Sequence, residues 1–227
     1  MSSNLELLAR VARKIEPLLS EVAFVGGAVI ELYITSPVSE KIRPTRDTDV
    51  VCQVAGKLDY LKLGRRLEVL GFQQSALEND PPHRWRSDGD IVDLLPTGQT
   101  ILGFGNRWYE PGLAHAEQHA IADDLVIKLL PPPYLLATKL EAYWDRGEAD
   151  PYGSEDFEDV VVLIGNRPEL VEEVLRADPE VREWIQERIA ELFPDDQMAE
   201  YLSAHLPVNT NPGLLELVSL RVQQLRG

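Results

Sequence analysis

The chain has 227 residues, a single cysteine and a net charge of −16, with 44% hydrophobic and 26% charged residues. That composition belongs to an ordinary globular chain of one catalytic-sized domain plus an extension, and a lone Cys52 excludes an internal disulfide. No run of about 18 apolar residues is present to cross a membrane, and the N-terminal "MSSNLELLARVARKIEPLL" is charged throughout, without the apolar core of a signal peptide, so a cytoplasmic protein is expected.

The charge is uneven. Residues 1–110 hold 13 basic and 15 acidic side chains, whereas residues 111–227 hold 9 and 23. A local basic site in the first half is compatible with the overall acidity, while the second half disfavours a broad nucleic-acid surface.

In chain order, Leu5, Leu8, Val11, Ile15 and Leu18 recur at helical steps and predict an amphipathic helix over 4–20. "VAFVGG" predicts a short buried strand ending on Gly26 and Gly27, and "GAVIELYI" predicts a helix start. Residues 35–46, with Pro37 and Pro44, read as a loop, and "DTDVVCQV" as a strand. "LDYLKLGRRLEVLGF" is a helix closed by Gly71. "HRWRS" and "DIVDLLP" flank a Ser-Asp-Gly turn and predict a hairpin, and "LVIKLL" adds a strand. From the triple proline at 131–133 onward the pattern is helical, with further helices over 155–165, 168–176, 180–193, 196–205 and 212–225. The expected fold class is α/β (α+β): a mixed α/β domain over 1–130, then an all-helical part over 131–227.

Several residues stand out for chemistry. Asp47 and Asp49 lie two apart, so on a strand their carboxylates share a face, and their mutual repulsion calls for a positive partner. A hard divalent cation is one such partner, and Arg43 and Arg46 would then meet phosphates carried by the metal; a solvated strand start is the plain alternative. Asp93 is a charge inside an apolar strand, either half-exposed or held by a partner. Asp90 is expected in the turn. Arg84 and Arg86 flank Trp85, which puts both guanidinium groups on one face. The Gly26-Gly27 turn is either a phosphate cradle at a helix N-terminus or a turn that needs positive φ. His115 and His119 have a spacing that binds zinc on a helix, but no third ligand is evident.

Taken in order, "FVGGAVIELY", "RPTRDTDVV" and the later Asp93 strand resemble the nucleotidyltransferase superfamily related to DNA polymerase β. "PPPYLLATKLEAYWDRGEADPYGSEDFEDVVVLI" is similar to the helical region of the AbiEii group of abortive-infection toxins, found in type IV toxin–antitoxin systems. The resemblance spans roughly residues 20–166. It implies a small nucleotidyltransferase sheet with two Mg²⁺ ions on Asp47, Asp49 and Asp93. It also implies a nucleoside triphosphate such as ATP seated by Gly26, Gly27, Arg43 and Arg46. Lys139 would contact its phosphates, Asp156 (with Asp159 close behind) would support the site, and Arg146 would lie between them.

Transfer of a nucleoside monophosphate to a hydroxyl of RNA, such as the tRNA 3′ end, is the implied activity, with a cognate antitoxin as a partner. Two other readings stay open. One is nucleotidylation of a small molecule or protein; the other is a non-catalytic nucleotide- or partner-binding module. As ordinary features, Lys139 and Asp156 would be helix-surface charges.

Overall fold

Residues 2–36, 42–145, 150–206 and 212–227 are described by the computed structural model. The chain divides into two units: Met1–Glu31 with Pro44–Pro131, and Leu32–Arg43 with Pro132–Gly227.

The first unit is built on a seven-stranded mixed sheet. Helix α1 (Ser3–Lys14) starts where the Ser2 side chain accepts the Leu5 N–H at 3.2 Å, and it buries Leu7, Leu8, Val11 and Ala12. The predicted helix over 4–20 therefore stops early and gives way to a 3₁₀ turn at Glu16–Leu18, since Pro17 lacks the N–H that the helix interior needs. Strand β1 (Val22–Val25) is buried at all four positions, and a 3₁₀ segment at Gly27–Tyr33 replaces the expected α-helix start. β2 (Thr48–Cys52) follows, and then α2 (Lys57–Val69), after which Gly71 takes φ +88°. A two-residue β3 (Gln73–Gln74) precedes β4 (Arg84–Ser87) and β5 (Asp90–Pro96). Short helices α3 (Gln99–Leu102) and α4 (Tyr109–Ala114) come next, then β6 (Glu117–Ala122) and β7 (Leu125–Leu129).

The strand order is β3-β4-β5-β2-β1-β7-β6. β2 runs parallel to β5 and antiparallel to β1, while β1 runs parallel to β7. The two strands without a sequence signal, β3 and β6, lie at the sheet edges. "QQ" is exposed at both positions and "EQHAIA" buries no residue fully, so neither has the alternation that marks a half-buried strand. Pairing, rather than local pattern, makes them strands.

The second unit is helical among its described residues: α5 (Pro132–Asp145), α6 (Glu155–Asn166), α7 (Leu170–Arg176), α8 (Pro179–Leu192), α9 (Met198–His205) and α10 (Pro212–Arg226). Ser154 caps α6 by accepting the Phe157 N–H at 3.3 Å. Phe157 and Phe193 are fully buried with ring centroids 5.2 Å apart, alongside Ile185, Ile189, Leu202 and Val218. Residues 32–36 belong to this unit because the end of α6 holds them. The Thr35 and Ser36 amides donate to Asn166 O, and Arg167 Nη1 donates to Tyr33 O at 2.8 Å. Among the described residues no helix is long and apolar enough to cross a membrane.

Candidate functional site

Strand register brings the acidic residues of the first unit together. Asp49 and Asp93 are direct partners across the parallel β2–β5 pair, so their side chains leave the sheet on the same face. Asp47 stands just before β2, two residues from Asp49, and shares that direction. On the other side of β5, Arg84 is the antiparallel partner of Asp93.

The hairpin turn explains this last pairing. Asp88 at φ 49° and Gly89 at φ 87° form a two-residue loop with positive φ at both positions, which a type I′ turn requires. Ser87 then faces Asp90, and counting outward puts Arg84 opposite Asp93.

The guanidinium of Arg84 is the positive partner of Asp47 and Asp93. Its Nη2 donates to Asp47 Oδ2 and to Asp93 Oδ2, each at 2.7 Å, and its Nε donates to Asp93 Oδ1 at 2.9 Å. The Asp93 contact is thus a bidentate fork, the strongest geometry available to an arginine–carboxylate pair. Arg84 is held protonated well above its ordinary value, first by the hydrogen bonds to Asp93 and then by the charges of Asp93, Asp47 and Asp80, against the opposing effect of burial. Asp47 is fixed further by a 3.0 Å hydrogen bond from Thr45 Oγ1, while the Thr45 amide donates to Asn4 Oδ1 at 3.1 Å.

A second acidic group backs the arginine. Asp80 Oδ1 lies 3.7 Å from Arg84 Nη1, and Asp80 also accepts from Arg86 and Ser75. These hydrogen bonds, with Ser75 first and then Arg86, hold the Asp80 carboxyl below its usual value. Arg86 shares the face of Arg84, but its guanidinium is spent on Asp80 rather than on the aspartates of β2 and β5. His83 Nε2 is 3.8 Å from Asp93 Oδ2, and its ring packs against Phe104 at 4.9 Å. Burial holds the His83 imidazole below its ordinary value, with the Asp93 charge opposing.

Gly26 is needed here for two reasons. Its φ of +77° lies in the left-handed region, and a Cβ at this position would sit 1.8 Å from Asp49 Oδ2. The Asp49 carboxylate therefore lies directly over the turn that follows β1. Gly27 begins the 3₁₀ segment.

Three of the remaining predicted residues, Arg43, Lys139 and Asp156, belong to the second unit. Arg43 meets Glu155 at 3.1 Å, Glu158 at 3.4 Å and Asp159 at 3.9 Å. Arg46 is exposed and makes no ion pair with a described residue. Lys139 is buried in the second unit, with its ammonium 3.1 Å from Asp156 Oδ1 and 2.6 Å from Asp159 Oδ2. Lys139 and Asp156 are therefore buried partners rather than helix-surface charges. Arg146 lies outside the described residues. Asp90, expected in the turn, is instead buried at the start of β5 and held by Arg10 at 2.7 Å and Lys14 at 2.9 Å. His115 ends α4 whereas His119 lies in β6, so the pair does not share a helix face.

Asp47, Asp49 and Asp93 offer only carboxylate oxygens, the donor set that suits a hard divalent cation. With Arg84 bridging two of them, no group of three or more His, Cys, Asp or Glu side chains among the described residues is arranged to hold a metal ion. The donor chemistry suits such a cation, but the side chains as arranged, with Arg84 between Asp47 and Asp93, form no ready site. No family model matches this chain, and no curated protein matches it either.

Proposed function

We propose that the first unit is a metal-dependent nucleotidyltransferase that moves a nucleoside monophosphate from a nucleoside triphosphate to a hydroxyl acceptor. The observation that carries this reading is the in-register placement of Asp49 and Asp93 on adjacent parallel strands, with Asp47 on the same arginine nitrogen as Asp93 and the Gly26 turn under Asp49. Three carboxylates gathered on one sheet face beside a glycine turn would be costly to keep without a cationic ligand or partner. In this reading Asp47, Asp49 and Asp93 hold Mg²⁺. The bound ions offset charge on the triphosphate and lower the pKa of the acceptor hydroxyl.

Asp93 takes the proton from that hydroxyl. The freed oxygen bonds to the α-phosphorus, the bond from that phosphorus to the bridging oxygen breaks, and pyrophosphate leaves with the electron pair. The Gly26-Gly27 turn gives the phosphates close approach to the backbone. The acceptor proposed is RNA, such as a tRNA 3′ end, in a toxin-like role with a cognate antitoxin. This rests on the sequence resemblance and on the near-neutral first half of the chain.

A second reading has one specific observation in its favour. Because the Arg84 guanidinium already bridges Asp47 and Asp93 and offsets part of their charge, the unit can stand as a metal-free binding module. A transfer assay separates the two. The chain is incubated with Mg²⁺ and α-labelled nucleoside triphosphates against total RNA, protein and small hydroxylated acceptors. Label on RNA supports the proposal, and Asp49→Asn abolishes it. Label on a small molecule or protein moves the acceptor class, and no label on any acceptor selects the binding module.

A further inference from the structure

The Arg84 fork occupies the same carboxylate oxygens that a divalent ion would need. Asp47 Oδ2 and Asp93 Oδ2 both accept from one Nη2 at 2.7 Å, and Asp93 Oδ1 accepts from Nε at 2.9 Å. A cation bound to these oxygens at about 2.0–2.1 Å, as Mg²⁺ requires, would meet a guanidinium of like charge on the same atoms. Arginine and cation therefore exclude one another at Asp47 and Asp93. We propose that Arg84 is a tethered competitor for the divalent ion: it holds Asp47 and Asp93 together when no cation is bound and must be displaced for the ion to enter. This rests on the reading of Asp47, Asp49 and Asp93 as ion ligands.

Two features suit Arg84 to displacement rather than to a permanent bridge. Its tether is short and directed, because strand register places its Cα directly across from Asp93, so it returns to the same oxygens whenever the ion leaves. It also has a second partner in reach. Asp80 Oδ1 is 3.7 Å from Nη1 and is itself steadied by Arg86 and Ser75, so a guanidinium leaving Asp47 keeps a counter-charge. An arginine with no alternative partner would pay the full desolvation penalty on displacement; Arg84 does not. As a positioning residue, Arg84 sets how much free cation is needed before the aspartates are loaded.

The test uses Mn²⁺ alone as the probe, titrated into the full chain and followed by loss of the free-ion electron paramagnetic resonance signal, with thermal melting in parallel. Arg84→Gln should bind Mn²⁺ about tenfold more tightly than the unaltered chain, because the competing charge-assisted hydrogen bonds are gone. It should melt lower without the ion and gain more from Mn²⁺ than the unaltered chain gains. Arg84→Lys keeps one charge but loses the fork, and should bind Mn²⁺ with an affinity between the two; it stands in should Arg84→Gln fail to fold. A purely structural role for Arg84 predicts the opposite sign, weaker Mn²⁺ binding in both variants.

Equal or weaker binding by the variants overturns the competitor role while leaving the metal site intact, provided that the unaltered chain binds Mn²⁺ and Asp93→Asn abolishes that binding. Failure of every protein to bind millimolar Mn²⁺ overturns the metal reading itself, and the competitor role with it.

Discussion

Each unit gathers two carboxylates around one cation, and the two solutions differ. In the first unit Arg84 bridges Asp47 and Asp93, whose side chains come from different parts of the sheet and remain 32% and 6% exposed. In the second unit Lys139 sits between Asp156 and Asp159, which lie three apart on α6, and all three side chains are closed off at 9%, 3% and 6% exposure. An ammonium is a compact point charge that two carboxylates one helical turn apart can enclose, whereas a guanidinium is a planar fork that spans separate strands. The cluster on α6 is sealed by its own geometry. The one on the sheet keeps an open side at Asp47, where a ligand can compete.

This contrast can be broken by mutation. The largest effect is expected for Lys139→Met, which leaves Asp156 and Asp159 uncompensated inside the helical unit and should cost about 3–5 kcal/mol in urea unfolding. Adding Asp156→Asn and Asp159→Asn should recover part of that loss. Arg84→Gln should cost less, about 1–3 kcal/mol, since water reaches Asp47. Equal losses at the two positions would remove the distinction drawn between a sealed and an open cluster.

Gly26→Ala should follow, at about 1 kcal/mol or somewhat more, from the positive φ and the contact with Asp49. Its more telling outcome is weakened Mn²⁺ binding as the Asp49 carboxylate is pushed aside, with no corresponding change for a glycine such as Gly56, where an added Cβ meets nothing.

Cys52 marks how quickly β2 passes from the open side at Asp47 into the core. Burial pushes its thiol up to about 12, so the native protein should show no thiol reactive toward a disulfide reagent at pH 8, with one appearing on unfolding.

The smallest effect belongs to an exposed pair. Arg66 holds Glu21 with two 2.7 Å hydrogen bonds and lowers its carboxyl from the ordinary value. A lowered folded-state value means that the stabilisation is complete above the usual carboxylate range and is lost as pH falls through it. Because water screens the pair, its worth is about 0.5 kcal/mol or less. Glu21→Gln should therefore differ from the unaltered chain by that amount at pH 7 and by nothing at low pH, in denaturant titrations across the acid range.

Local pattern in the sequence was enough for the elements whose signals are local. α6 and α8 follow apolar periodicity bounded by Ser154 and Pro179, and the β4–β5 hairpin follows its Asp88-Gly89 turn. The Arg84–Asp93 pairing was not legible in the same way, since a turn that includes Asp90 gives another register; the two-residue loop at Asp88 and Gly89 in the structure sets Ser87 across from Asp90 and Arg84 across from Asp93. Nor can local pattern supply the neighbour on the other side of β5. That β2 lies there, parallel and with Asp49 level with Asp93, is a non-local choice made by the packing of the whole sheet. Only the tertiary structure decided that Arg84 bridges Asp47 and Asp93, that Arg43 meets Glu155 and Glu158 on α6, and that Asp90 is held by Arg10 and Lys14. Charge type and spacing are written in the chain; which opposite charges meet depends on strand order and register, to which local periodicity is blind.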